Sequence, residues 1–176
     1  MSDEEALQRL LDREAILETV YSYSAGLDGR DWDLYRSIFT DVIELDFTSY
    51  FGSGEPMTMT ADDWVHAGRL AREDTETEQG VVLGLKATHH LLTNPRITID
   101  HDRALCITYM QAEHFLPNLE GDSFHTVGGY YTIDLIRTPE GPFGWKIPTL
   151  KLTVTWQRGN KHIMGGGLLA ENRGTS

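Results

Sequence analysis

Between Leu7 and Leu27 apolar side chains return mostly every third or fourth residue, at Leu7, Leu10, Leu11, Ala15, Leu17, Val20, Tyr21 and Leu27. Arg9, Asp12, Arg13 and Glu18 fall on other faces. That period predicts a long amphipathic helix with its apolar stripe turned inward. Ser2 followed by Glu5 reads as a capping box at its start, and the stretch from Gly26 to Gly29 as its end. Asp31 caps a second short helix from Trp32 to Phe39. The run Val42 to Phe51 is rich in β-branched and aromatic residues and predicts a strand, closed by the turn cluster GSGEP. Thr60 and Asp63 frame a third helix through Trp64, Ala67, Leu70 and Ala71. The stretch from Glu73 to Gly80 is acidic and nearly free of apolar side chains, and is expected to be a mobile loop able to act as a lid.

Beyond Val81 the texture becomes that of strands. His89 to Leu92 and Arg96 to Ile99 are short ones, and the turn from Asp100 to Arg103 leads into a long strand from Ala104 to Phe115. A loop from Leu116 to Ser123 precedes the strand from Phe124 to Arg137, and the turn from Thr138 to Gly144 precedes Trp145 to Gln157. Helices first and strands last predict an α+β fold with an antiparallel sheet. One domain over 1–157 and a glycine-rich tail over 158–176, extended or held by a partner, complete the reading.

The chain has 176 residues, with 27 acidic and 15 Lys or Arg side chains and a formal net charge of −12. Such an excess of negative charge argues against nucleic acid and membrane surfaces as partners. A single cysteine, Cys106, excludes an internal disulfide and a cysteine-rich zinc site. The acidic start and the lack of a long apolar run give a cytoplasmic expectation. Phosphate-loop, dinucleotide-binding, serine-elbow and HExxH signatures are absent from the sequence. Seven histidines are present, none at a multi-ligand metal spacing, although His89, His90, His114 and nearby carboxylates could meet across a sheet. Neither a metal nor a cofactor is expected. His89 and His90 are consecutive strand residues, so only one of them faces the interior. Asp28 lies at a helix C-terminus, where its charge opposes the dipole; it reads either as a turn aspartate in LDGRD or as a functional carboxylate.

Four segments carry a resemblance. YSYSAGLDGRDWD from Tyr21, THHLLTNPRITID from Thr88, GGYYTIDLIRT from Gly128 and GWKIPTLKLTVTW from Gly144 together resemble the SnoaL-like branch of the nuclear transport factor 2-like superfamily. Within that branch the chain is similar to scytalone dehydratase, hexachlorocyclohexane dehydrochlorinase and bile acid dehydratase. The resemblance implies a cone: a strongly curved antiparallel sheet wrapped around a long N-terminal helix, with two shorter helices and a pocket inside. It implies an Asp-His dyad at Asp28 and His90, with Tyr23 beside the aspartate. His114 corresponds to a second histidine of scytalone dehydratase when a gap is allowed. Leu27 and Phe47 stand where that enzyme has pocket tyrosines, and Tyr130 and Thr132 where it has a serine and an asparagine.

The activity implied is that of a cofactor-independent lyase, a dehydratase, acting on an apolar ring-bearing molecule such as a polyketide, a steroid or a terpenoid. An isomerase or cyclase using the same base, and a ligand-binding module without catalysis, are the alternatives. Tyr50, Trp64, Met110, His114, Tyr130 and Thr132 are the expected pocket wall. The relatives imply a homotrimer, with a dimer next.

Overall fold

A computed structural model describes residues 2–77, 80–117, 121–165 and 167–168. Helix α1 (Asp3–Gly29) begins with the capping box, Ser2 Oγ accepting from the Glu5 amide and Glu5 accepting from the Ser2 amide. It ends on Arg30, whose left-handed backbone lets its amide return to the Gly26 carbonyl. Helix α2 (Trp32–Ser37) is capped by Asp31. Strand β1 (Phe39–Asp46) follows, then a single helical turn α3 (Thr48–Phe51), strand β2 (Met57–Thr60) and helix α4 (Ala61–Leu70), which Thr60 caps.

The expected strand from Val42 to Phe51 is therefore cut short. The Asp46 carboxylate accepts from both the amide and the hydroxyl of Thr48, which turns the chain into α3 and sends Tyr50 inward. The stretch from Glu73 to Gly80 also departs from the expected loop. Strand β3 (Thr75–Thr77) pairs antiparallel with β4 (Gly80–Leu83), and Asp74 ties the hairpin down by accepting from the Gly84 amide and the Lys86 ammonium. Residues 78 and 79 of that stretch lie outside the described residues.

Four long strands make the wall of the cone: β5 (Ala87–Asp100), β6 (Arg103–Phe115), β7 (Phe124–Arg137) and β8 (Trp145–Gly159). The main sheet is open, in the order β2-β1-β8-β7-β6-β5, antiparallel except where β1 runs parallel to β8. The two short strands expected at His89 and Arg96 are one strand. A bulge between Thr93 and Arg96 absorbs Asn94, at φ 54°, and Pro95, which has no amide proton to give a ladder. A second bulge at Gly128 and Gly129 lets backbones close up, since a Cβ on Gly129 would stand 2.0 Å from the Thr153 carbonyl oxygen. These bulges curve the sheet around α1.

The buried face of α1 differs from the expected stripe. Asp12, Ile16, Thr19, Val20, Tyr23, Gly26 and Leu27 point inward, whereas Leu7, Leu10 and Leu11 are more than half exposed. Asp12 is buried because Arg137 of β7 grips both its oxygens at 2.7 and 2.8 Å while stacking on Trp145. Close by the site, α2 crosses α1 at Gly26, where a Cβ would lie 2.8 Å from the Tyr35 amide nitrogen. The expected tail starts later than residue 158, because β8 runs on to Gly159. A short 3-10 helix (Lys161–Gly165) places Ile163 against Leu85 and Leu116, and β9 (Gly167–Leu168) pairs with β4. Residues 118–120, 166 and 169–176, within the expected loop from Leu116 to Ser123 and the expected tail, lie outside the described residues.

Candidate active site

Strand alternation settles the histidine pair: His89 is exposed and His90 is buried, on the concave face. Asp28, on the last turn of α1, reaches β5 with both carboxylate oxygens. Oδ1 accepts from His90 Nδ1 at 2.6 Å and from the Thr88 hydroxyl at 2.7 Å, and Oδ2 accepts from the His90 amide at 2.6 Å. Burial pushes the Asp28 carboxyl up, but the His90 ring, the His90 amide and Thr88 together outweigh it and hold the group down to about 2. The ionised carboxylate can only accept, so His90 Nδ1 carries a proton, and in the neutral imidazole the lone pair is on Nε2.

Tyr23 is buried beside this pair, its ring edge-on to His90 with centroids 6.3 Å apart. It also packs against Tyr35 and Tyr131, each at 5.4 Å. Burial raises the Tyr23 phenol above its ordinary value, against hydrogen bonding to Tyr131 and Tyr35 that draws it down. Tyr35 and Tyr131 are pushed up further by burial, so all three are protonated donors at neutral pH.

His114 meets His90 on the other side, edge to face at 5.6 Å, and gives its Nδ1 proton to the His125 carbonyl at 3.1 Å. Desolvation first, and then the electrostatic influence of His90, lowers His114 to about 3 and keeps it neutral. His125 continues the row toward Tyr50, whose ring lies 6.4 Å away. Trp64 packs on Phe47 at 5.4 Å. Met110 is buried on β6, directly across from Leu92.

Tyr130 and Thr132 lie elsewhere. They pair across the ladder with Tyr109 and Ile107, which are exposed, so both face the outside of the sheet, while Tyr131 points inward between them. The expectation that they line the pocket is corrected; Tyr131 takes the inward place. The other residue missed is Arg72, just past α4 in a stretch of charges that reads as solvated. It is buried, and its charge is felt at Tyr23, Tyr35, Tyr131, Asp28 and His114.

Several buried polar atoms around this interior have no hydrogen-bond partner among the described residues: Tyr50 Oη, Trp64 Nε1, Arg72 Nε and His125 Nδ1. Apolar walls with a few unsatisfied polar atoms suit an organic ligand. Among the described residues no group of three His, Cys, Asp or Glu side chains is placed to hold a metal ion. A groove of about 260 Å³ on the outside, between Ala6, Arg9, Leu10 and Arg13 of α1 and Ile97 and Ile99 of β5, contains none of the candidate residues. No helix among the described residues is long and apolar enough to cross a membrane.

A curved sheet holding a long helix, with a carboxylate-histidine pair inside the cone, defines an NTF2-like fold. The chain belongs to the SnoaL-like domain family, whose model matches residues 8–151. It is similar in structure to the Kfla4162 protein of Kribbella flavida, at 32% identity and TM-score 0.75, over 88% of this chain and 97% of that one. The hexachlorocyclohexane dehydrochlorinase LinA-type3 of Novosphingobium barchaimii shares the fold at 20% identity and TM-score 0.65, over 89% and 94% of the two chains. A candidate scytalone dehydratase of Novosphingobium aromaticivorans does so at 15% identity and TM-score 0.66, over 86% and 89%. No curated protein matches the chain.

Proposed function

We propose that the protein is a lyase that dehydrates an apolar ring ketone, with His90 as base and Asp28 as its orienting partner. One observation carries this: the contact of the Asp28 carboxylate with His90 Nδ1 inside the cone, which leaves Nε2 as the basic nitrogen. The named activities of two structural neighbours, a dehydrochlorinase and a dehydratase, are both eliminations.

In the proposed reaction His90 Nε2 takes the proton from the carbon next to the substrate carbonyl. The electron pair of that C–H bond moves into the carbonyl, forming an enolate, and Tyr23 donates a hydrogen bond to its oxygen. Asp28 stabilises the imidazolium and prevents the ring from turning. The imidazolium then protonates the hydroxyl on the next carbon, the C–O bond breaks, and water leaves as the carbonyl and a new C=C bond form. His90 ends in its starting state, and the steps consume no cofactor.

Incubation with β-hydroxy ring ketones, headed by a β-hydroxytetralone, tests this. The expected product is lighter by one water, the naphthol in the tetralone case, and mass spectrometry reads it. Products of unchanged mass would make the protein an isomerase instead, and no wild-type turnover on any bicyclic or tetracyclic member would overturn the reading.

A further inference from the structure

Arg72 has a position that its stretch of sequence does not announce. Only 8% of it is exposed, and its side chain turns back so that Nη1 donates to the Gly68 carbonyl at 3.0 Å. Gly68 is itself against the site: a Cβ there would lie 3.5 Å from the Leu27 side chain and 3.8 Å from the Tyr35 ring. The guanidinium is thus tied to the helix end that packs on Leu27 and Tyr35, its charge acts on Tyr35, Tyr23, Asp28 and Tyr131, and its buried Nε–H has no partner among the described residues. No carboxylate among the described residues is within ion-pair distance of it. An arginine stays charged even when burial works against it, so an unpaired buried guanidinium is a standing cost to the fold. A cost kept at a site points to a task there.

The charges decide which task. With His90 neutral, Arg72 and Asp28 sum to zero. A substrate carboxylate would make the interior negative and hold His90 in its protonated form, which cannot act as a base. A neutral ketone keeps the interior balanced, and after proton transfer the enolate and the imidazolium balance each other again. Building on the proposed dyad, we infer that Arg72 Nε–H, together with Tyr23, holds the substrate's carbonyl oxygen and takes the negative charge that develops there, so that the substrate is an uncharged ring ketone. Arg72 is then a catalytic residue of the elimination.

Naphthol is a suitable probe, because its ionised oxygen stands where the enolate oxygen would. Its absorbance is titrated in complex with the wild type and with Arg72→Met and Arg72→Lys, the fold of each variant being checked by circular dichroism. Naphthol bound to the wild type is expected to ionise about 1 to 3 pH units below free naphthol, the shift an adjacent opposite charge produces. Arg72→Met should bind the probe without that shift. Arg72→Lys, which keeps a charge but lacks the Nε–H and the bond to Gly68, should retain only part of it and carries the test if the methionine variant does not fold. An undiminished shift in whichever variant folds overturns the role of Arg72, as does binding of naphthoate more tightly than naphthol, which would mark Arg72 as a carboxylate anchor. Failure of the wild type to bind naphthol at all overturns the pocket itself, and this inference with it.

Discussion

Asp28 and His90 meet twice: the carboxylate accepts from the imidazole Nδ1 through one oxygen and from the backbone amide of the same residue through the other, each at 2.6 Å. A side chain at the end of α1 therefore sets both the ring and the local backbone of β5. Asp28→Asn keeps the shape, and with its amide oxygen left to accept from the His90 amide it turns its NH₂ toward Nδ1, favouring the tautomer with its proton on Nε2. Turnover of a β-hydroxy ring ketone is expected to fall by about 10³ to 10⁴-fold, the scale seen when an orienting aspartate is lost from a histidine base. Circular dichroism should show an unchanged fold.

The same contacts make the fold sensitive to acid. The Asp28 carboxyl is at about 2 in the folded chain against 3.8 when free, so its contribution is present above about pH 4 and is lost as pH falls toward 2. The shift corresponds to about 2 kcal/mol. Urea denaturation across this range should show a shallower loss in Asp28→Asn.

His114 acts over a higher window. An unfolded histidine binds a proton below about 6.5, whereas buried His114 does not until about 3, so protons in that interval favour the unfolded chain. Stability should fall as pH drops from 6.5 toward 3, by at most about 4 to 5 kcal/mol from this group. His114→Asn, which can still donate to the His125 carbonyl, should flatten that slope in denaturant melts at stepped pH.

Asp12 and Arg137 tie α1 to β7 through a bidentate pair at 2.7 and 2.8 Å. Asp12→Ala leaves Arg137, about a third exposed, with Asp102 alone at 3.0 Å and is expected to cost about 1 to 2 kcal/mol, measured as a lower urea midpoint with an unchanged slope.

Gly26 is where α2 closes on α1, two residues before Asp28. Gly26→Ala puts a methyl 2.8 Å from the Tyr35 amide nitrogen and must push the helices apart. A loss of about 1 to 3 kcal/mol is expected from overpacking, with a drop in turnover larger than in substrate affinity as Asp28 moves off His90.

Local signals made much of the fold legible. Ser2 with Glu5, Asp31 and Thr60 are side-chain caps that act within three residues, and each starts a helix where the sequence places it. Periodicity did less well on α1. The leucines at 7, 10 and 11 form a convincing stripe, yet the sheet covers the face of Asp12, Ile16 and Tyr23, because pairing with Arg137 makes an aspartate acceptable inside. Alternation along β7 shows that Tyr130 and Tyr131 face opposite ways but not which faces in; the ladder with exposed Tyr109 decides it. Arg72 illustrates the limit most plainly. Its neighbours in sequence are charged, and its burial rests on the turn of its side chain back to Gly68 and on the Gly84 segment packed against its backbone, neither of which the local pattern shows.

Deuterium exchange next to a carbonyl tests the central claim most directly. Ring ketones lacking a leaving group, with tetralone first, are incubated in heavy water with wild type, His90→Ala and Asp28→Asn, and isotope incorporation is followed by mass spectrometry. The account predicts exchange above the buffer rate with the wild type, abolished in His90→Ala and cut by orders of magnitude in Asp28→Asn. Equal exchange in all three proteins, or wild-type exchange no faster than buffer for every ketone, would contradict it.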